Sequence, residues 1–350
     1  MDILKLGRFT IKKIKLVLLY FRRIIFAKNN FKVSFFTKLR MNIFGGYLAD
    51  QYVIYDFKHN DKKPYLYEFD WYRTRYINEP FDFFLNNKIM CTEVLKQYTN
   101  VPEIYVIKNR GVLSRIGKSV LTYDEAFDAI REHKQVFIKP YGAGKGTDVY
   151  RFDYIDGQFY VDGEPATIER LKKIMDSYDN WMICQGITQA PFSASLYDKT
   201  VNTIRLITFR DIETEKFRVF FAVQRIGTKE TIPVDNGSRG GLVSKIDLET
   251  GELSEAKSLH SLEVHETHPD SGAPIKGVIV PGWEDVKKEM LRLSELMPYV
   301  NFIAWDIVLT EDGINVIEAN TSSGVNIIQL WGGQRYGELG DFYRHHKVKV

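Results

Sequence analysis

Ala304-Trp305-Asp306-Ile307-Val308-Leu309-Thr310, an acidic turn, and then Ile314-Asn315-Val316-Ile317-Glu318-Ala319-Asn320 put three oxygen ligands into an otherwise apolar hairpin. Asp312-Gly313 between two β-branched runs signals a hairpin. A loop of three residues, Glu311, Asp312 and Gly313, sets Asp306 opposite Glu318, and opposed residues share a face. Strand alternation adds Asn320 to that face. Two carboxylates and an amide oxygen suit a hard cation such as Mg²⁺, which one or two carboxylates hold together with substrate phosphates. A two-residue loop would slip the register by one and part the three ligands. The plain alternative is a polar outer face on an ordinary hairpin.

Upstream lies a second informative segment, Phe137-Ile138-Lys139-Pro140-Tyr141-Gly142-Ala143-Gly144-Lys145-Gly146-Thr147-Asp148-Val149-Tyr150. A buried strand ends in lysine and a glycine-rich loop follows. Glycine lets backbone N–H groups turn inward and approach phosphate oxygens closely. Lysine adds a point charge. The loop is not a Walker A motif, because Lys139 and Gly146 stand where that pattern needs Gly and Ser/Thr. It is not a dinucleotide fingerprint, because a strand, 147–154, is expected after it. A strand–Gly loop–strand is a flap able to close over a nucleotide; the alternative is a plain glycine hairpin.

The remaining pattern is mixed α and β. Residues 41–80 read as irregular or partly helical, and 80–98 as helical. Thr122 to Glu125 resembles a capping box that opens a helix. Strands are expected at 103–107, 136–140, 158–161, 181–187, 202–210 and 216–226, with a hairpin around Thr250-Gly251. A helix is expected to begin at Thr167. Trp283 to Pro298 is amphipathic, with Val286, Met290, Leu293 and Met297 on one face. Residues 259–281 read as a loop holding three histidines, whose His265-x-x-His268 spacing lacks acidic partners for a transition metal.

The chain has 350 residues, ordinary globular composition, and two cysteines, Cys91 and Cys184, in no CxxC spacing. This argues against a disulfide scaffold or zinc site and fits a reducing compartment. The net charge of +3 hides an asymmetry: residues 1–40 hold eleven Lys/Arg and one acid, or +10, leaving −7 for the other 310. At helical spacing Ile11, Ile14, Val17, Leu18, Phe21, Ile24 and Ile25 share a face, while Lys12, Lys15, Arg22 and Arg23 lie mainly opposite. The uncharged run there is far shorter than the roughly 20 residues that span a bilayer. A basic amphipathic helix commonly lies on an anionic membrane surface. The alternatives are packing on the domain or a nucleic-acid arm, the latter ill-suited to so many Leu, Ile and Phe.

The strand ending Lys139-Pro140, the Gly-rich flap, a later hinge strand and the distal Asp306…Glu318-x-Asn320 set resemble the ATP-grasp superfamily. More narrowly, Val201-Asn202-Thr203-Ile204-Arg205, Val234-Asp235-Asn236 with Gly240-Gly241, His268-Pro269-Asp270-Ser271-Gly272, Pro281-Gly282-Trp283 and Trp305-Asp306-Ile307 resemble sugar-transfer-associated, α-L-glutamate ligase-related ATP-grasp proteins. The resemblance covers roughly residues 80 to 335. It implies an α+β or α/β ATP-grasp fold whose two subdomains clamp a nucleotide. The implied divisions are a membrane-surface segment 1–40, a lead-in region 41–115, a small subdomain 116–187 with the flap, a C-terminal subdomain 188–335 with the metal site, and a tail 336–350.

The resemblance also implies roles. Lys88 and Lys139 would contact ATP phosphates, and Gly142, Gly144, Lys145 and Gly146 would form the flap. Cys184, Gln185 and Ile187 of the hinge would read adenine, with Gln185 standing where many relatives carry Glu. Asp306, Glu318 and Asn320 match the Mg²⁺ set. Arg205 and Arg225 would steady the γ-phosphate or an acyl phosphate, an arginine fork suiting either; each could instead form a structural ion pair. Asn202, Arg239, Gly240, Gly241 and His268 are candidates for the acceptor pocket. The implied activity is an ATP-dependent carboxylate–amine ligase acting on a sugar-linked carboxylate in surface polysaccharide or capsule synthesis, at the inner face of the cytoplasmic membrane. A sugar or polyol kinase and a non-catalytic ATP-binding scaffold use the same nucleotide machinery and remain open on sequence.

Overall fold

The computed structural model describes residues 3–74, 76–142 and 148–350. Six helices come first: α1 (Ile3–Tyr20), α2 (Phe35–Gly45), α3 (Ala49–Ile54), α4 (Glu68–Thr74), α5 (Asp82–Asn86) and α6 (Lys88–Leu95), with a π-helical turn, Phe21–Ile25, closing α1. There follow β1 (Ile104–Asn109), β2 (Val112–Ser114), α7 (Tyr123–His133), β3 (Gln135–Pro140), β4 (Tyr150–Ile155), β5 (Gln158–Val161), β6 (Glu164–Ala166), α8 (Ile168–Asp176) and β7 (Trp181–Gln185). The last part comprises α9 (Pro191–Leu196), β8 (Ile204–Arg210), β9 (Phe217–Ile226), β10 (Leu242–Ile246), β11 (Leu253–Ser258), β12 (Val264–His265), α10 (Trp283–Glu295), β13 (Phe302–Thr310), β14 (Gly313–Asn320), α11 (Val325–Ile328) and α12 (Glu338–His345).

The strands form two seven-stranded sheets, ordered β2-β1-β7-β3-β4-β5-β6 and β12-β11-β10-β9-β8-β13-β14. Every pairing within them is antiparallel. The smaller-domain sheet packs Val136, Ile138, Trp181 and Ile183 on Phe127 and Ile130 of α7 and Leu171 of α8. The predicted capping box is present: Thr122 accepts from the Glu125 N–H, and the Glu125 carboxylate from the Thr122 N–H.

Both faces of the large sheet are covered. One packs Leu206, Ala222, Trp305 and Ile307 against α10, whose Val286, Met290 and Leu293 are all buried, as is Met297 just beyond it. Each such side chain stabilises by roughly 1.5–3 kcal/mol, so the predicted stripe is what fastens the helix. The opposite face packs Ile207, Phe209, Val223 and Phe302 against Ile328 of α11 and Leu339 and Phe342 of α12. Alternation then places Arg205, Arg225 and Asp306 on that second face, where the helix cover stops.

The opening hairpin forms by a different route from the one expected. Its loop is the two residues Glu311 and Asp312, with Thr310 opposite Gly313. A regular ladder from that loop would carry Glu318 and Asn320 onto the core face with Ile314 and Val316. Instead the register shifts: Ile307 faces Val316 but Asp306 faces Glu318, so Ile317 is a bulge residue. The bulge sends Ala319 into the core and Glu318 and Asn320 to the side of Asp306. The requirement for an odd loop is therefore wrong, and the pairing it was meant to secure is present.

Two further expectations are corrected. Residues 41–80 are more regular than expected, containing the C-terminal part of α2 and all of α3 and α4, and α2 runs across residue 40. Ile24, assigned to the shared apolar face of the first helix, is fully buried, whereas Ile11, Ile14, Val17, Leu18 and Phe21 are exposed. The π-helical turn changes the angular step between residues and rotates Ile24 inward. Helix α1 lies on the α4 segment through a Tyr20–Phe69 edge contact at 4.8 Å, with Lys12 over the Tyr76 ring and paired to Glu79 at 3.3 Å.

Candidate nucleotide and metal site

Two surfaces meet between the sheets. The first is the open face of the small sheet. Alternation sets Phe137 and Lys139 of β3 on one side, and Met182 and Cys184 of β7 join Phe137 there in an apolar cluster with Ile104. Val201 and Val234, bridged to each other ahead of β8 and β10, pack on this cluster from the large-sheet side. Lys139 is buried at the end of its strand, and among the described residues no ion pair or hydrogen bond engages its ammonium group. A buried charge is costly unless compensated, so this position favours an anion.

The second surface is a charge network on β8, β9, β13 and β14. Arg205 grips Asp306 with a fork, Nε to Oδ1 and Nη2 to Oδ2, both at 2.7 Å. Arg225 Nη1 reaches Asp306 Oδ1 at 3.2 Å, and its Nη2 pairs with Asp235 Oδ1 at 2.9 Å. The other Asp235 oxygen accepts from the Thr203 N–H and hydroxyl at 2.7 and 2.5 Å. Burial pushes the Asp306 carboxyl up, but the two arginines outweigh it and hold it below the ordinary value of 3.8. For Asp235, with one arginine, burial wins and its carboxyl is raised. Glu318 pairs with Lys88 at 3.2 Å. Lys88 opens α6 behind the Asn87 N-cap, and its N–H donates to the Tyr141 carbonyl at 3.0 Å. One residue thus ties the base of the flap segment to the hairpin.

A hard cation fits this donor set only with help. A carboxylate offers about four lone-pair positions, and Asp306 gives three to arginine N–H groups. One remains, alongside Glu318 and the Asn320 amide oxygen on the same face. Among the described residues no group of three or more His, Cys, Asp or Glu could hold a metal alone. That pattern suits Mg²⁺, whose remaining positions nucleotide phosphates and water fill.

Several expected site residues serve the fold instead. Asn202 is saturated: its amide donates to the Ser193 and Tyr197 carbonyls, and its oxygen accepts from Thr200 and the Gly227 N–H. His268 is buried with Nε2 on the Gly227 carbonyl at 2.8 Å and Nδ1 facing the N–H groups of Asp270 and Ser271. Both knot onto Gly227, where any Cβ would meet Thr200 at 2.2 Å. These residues position the loops and have no polar atom left for an acceptor. Gln185 is exposed on the face opposite Cys184, its side-chain oxygen accepting from the Glu103 N–H at 3.3 Å. Cys184 lies between Ile104 and Phe137 inside the sheet, so its backbone is committed and its buried thiol lines the floor. Ile187 follows where the strand pairing ends.

Arg239 is exposed on a short 3₁₀ turn. Gly240 follows with φ +107°, and a Cβ on Gly241 would meet the Asp235 carbonyl at 2.8 Å. The two glycines fold this loop tightly against Asp235. Gly142 is exposed, and Gly144, Lys145 and Gly146 lie outside the described residues. Sequence reasoning singled out the Val234-Asp235-Asn236 motif without giving Asp235 a role; its partners Arg225 and Thr203 supply one. Ser323, whose hydroxyl meets Arg205 Nη1 at 3.4 Å, carried no signal.

The chain matches the sugar-transfer associated ATP-grasp family model over residues 70–337 and belongs to that family. Among curated proteins none matches it. Similar solved structures include D-alanyl-alanine synthetase A from Vibrio cholerae, at 12% identity over 77% of this chain and 65% of that one, TM-score 0.42. An ATP-grasp RimK domain protein from Sphaerobacter thermophilus aligns at 15% identity over 71% and 66%, TM-score 0.37. N5-carboxyaminoimidazole ribonucleotide synthetase from Thermotoga maritima aligns at 11% over 68% and 42%, TM-score 0.36. The chain thus spans less than two thirds of the Vibrio and Thermotoga proteins.

Proposed function

We propose that the protein is an ATP-dependent carboxylate–amine ligase. The observation that carries this reading is the pairing of a buried Lys139, uncompensated among the described residues, with the Arg205–Asp306–Arg225 network, centred on the buried Asp306, across an apolar floor. The floor of Phe137, Met182 and Cys184 suits a nucleotide base, and the charges suit its phosphates. In the reaction a carboxylate oxygen attacks the γ-phosphorus, the bond to the bridging oxygen breaks, and ADP leaves. The amine nitrogen then attacks the acyl carbon, phosphate departs with the bonding electrons, and the nitrogen loses a proton, leaving an amide. Lys139 holds phosphate oxygens, and Arg205 and Arg225 orient and neutralise the transferring group. Lys88 positions Glu318, and Asp235 holds Arg225 in place. Asp306, Glu318 and Asn320 would hold Mg²⁺, which when bound neutralises phosphate charge. Residues 116–187 and 188–335 would act as the two clamping subdomains.

The family description supports a sugar-linked carboxylate, as in surface polysaccharide or capsule synthesis. Arg239, exposed beside Gly240 and Gly241, is the candidate for reaching it. Among the described residues no helix is long and apolar enough to cross a membrane. The exposed Ile11, Ile14, Val17, Leu18 and Phe21 of the first helix, bordered by Lys13, Lys15 and Arg22, support a peripheral position at the inner face of the cytoplasmic membrane. The test is ADP release from Mg-ATP with pools of uronic acids and amines, and mass spectrometry of the product. An amide formed only when both substrates are present supports the ligase; release that ignores the amine contradicts it.

A further inference from the structure

Helix α2 is inside out. Phe35, Phe36, Leu39, Ile43 and Phe44 point to solvent, while Met41 and Asn42 face the protein. Phe35, Phe36 and Phe44 are 72%, 79% and 79% exposed, and Phe26, in the preceding connection, is 75% exposed. Nothing loose in the helix explains this. Ser34 caps its start by accepting from the Thr37 N–H, and Gly46, at φ +66°, closes its end. Its inner face is pinned: Asn42 donates to the Ile24 carbonyl at 3.0 Å, and the Tyr20 hydroxyl donates to the Asn42 carbonyl. The outward direction of its phenylalanines is therefore built into the fold.

The charge around this apolar face has one sign. Residues 3–49 contain eleven Lys/Arg and no acid. Lys28, Lys32 and Arg40 are exposed near the stripe, as are Lys13 and Lys15 on α1 and Arg22 on the π-helical turn that closes it. The first acid after Asp2 is the buried Asp50, which accepts from the N–H groups of Asn30 and Phe31 and so fixes the α1–α2 connection. A second copy of this chain would bring the same positive charge against it. A nucleic-acid duplex would leave the phenylalanines without a partner, and a single strand stacking bases on them would leave the aliphatic Leu39 and Ile43 uncovered. An anionic bilayer complements both features, negative at its surface and apolar beneath, with aromatic side chains at its interface.

We propose that the outward face of α2, with Phe26, inserts into the interface of an anionic membrane as a second anchor beside α1. This rests on the membrane reading given for α1 above. In that arrangement α2 supplies apolar insertion and α1 much of the electrostatic attraction.

The test uses the full chain and vesicles of phosphatidylcholine with and without one-third phosphatidylglycerol, read by flotation. Three proteins are compared: the wild type, Phe35→Gln/Phe36→Gln/Phe44→Gln, and Lys13→Glu/Lys15→Glu/Arg22→Glu. The expected result is wild-type binding to the anionic vesicles, weakened at least tenfold in the phenylalanine variant at low and high salt alike. The charge variant should lose binding too, and wild-type binding should fall with salt. A fluorophore on Phe44→Cys should be quenched by brominated lipid; Cys91 and Cys184 are buried, so the label reports one position. If the phenylalanine variant binds like the wild type and only the charge variant fails, α1 suffices and the α2 proposal is overturned while the membrane reading stands. If the wild type binds neither vesicle, both fall, and ligase turnover is measured independently. If the wild type dimerises in solution and the phenylalanine variant is monomeric, a second copy is the occupant and the proposal is overturned.

Discussion

The two walls of the cleft solve opposite electrostatic problems. The large-sheet wall is self-satisfied: Asp306 has two arginines, Arg225 has two aspartates, and Glu318 has Lys88. The small-sheet wall is apolar with a single buried cation, Lys139, that no described residue engages. The first wall is organised before any ligand arrives. The second, as its described residues stand, favours an anion. Removing a charge should therefore hurt folding on one wall and binding on the other.

The largest expected effect is on turnover. Lys139→Met should lower kcat/KM for Mg-ATP by roughly a hundredfold or more, the scale of losing one preorganised charge at a transferring phosphoryl group. Its thermal stability should stay level or rise, because the substitution deletes a buried charge that has no partner among the described residues. A Tm drop comparable to that of the network variants would break the contrast between the walls.

Next is stability on the other wall. Asp306→Asn keeps the shape but leaves two part-buried guanidinium groups short of negative charge. It should destabilise by about 3 kcal/mol in urea unfolding, the range for removing one partner of a buried ion pair. Turnover should fall as well, since the same carboxylate faces the candidate metal position.

The pH dependence sharpens this. The folded carboxyl of Asp306 lies below its ordinary value of 3.8. Its stabilisation is therefore full above that value and is lost as pH falls through the lower folded one. Asp235 has the opposite sign: its raised carboxyl binds a proton more readily when folded, so its ionisation weakens the fold as pH rises. The gap between wild type and Asp306→Asn should be widest near neutrality, begin to narrow below about pH 4 and close as pH falls through the lower folded value. A gap that widened in acid would mean that Asp306 is not the favourably ionised member.

The smallest effect is expected at Gln185→Ala. Its side chain holds the Glu103 N–H on the far face of β7. The KM for ATP should change by less than about threefold, as for a surface substitution. A tenfold rise would show that Gln185 reaches the base after all.

Much of this was legible in the sequence, for physical reasons that differ by residue. The α10 stripe and the α7 capping box depend on local spacing, and both are where expected. Asp306 opposite Glu318 was legible as a pairing but not as a path, because the bulge at Ile317 has no compositional mark; a β-branched residue fits a ladder and a bulge alike. The roles of Asn202 and His268 were hidden because a motif names a residue without saying which way its polar atoms turn. Here they turn into the Gly227 knot. The outward face of α2 had no reading in the sequence, because its five exposed apolar residues have the composition of a core face, and only the buried Asn42 reveals the inversion.

The central claim is acyl-phosphate ligase chemistry in this cleft. It is tested most directly by turning over a carboxylate substrate labelled with heavy oxygen, in the presence of Mg-ATP and an amine, and weighing the phosphate released. Attack of the carboxylate on phosphorus, followed by loss of phosphate to the amine, predicts one labelled oxygen in each phosphate. Phosphate without label, or a stable phosphorylated hydroxyl formed without any amine, would contradict the account.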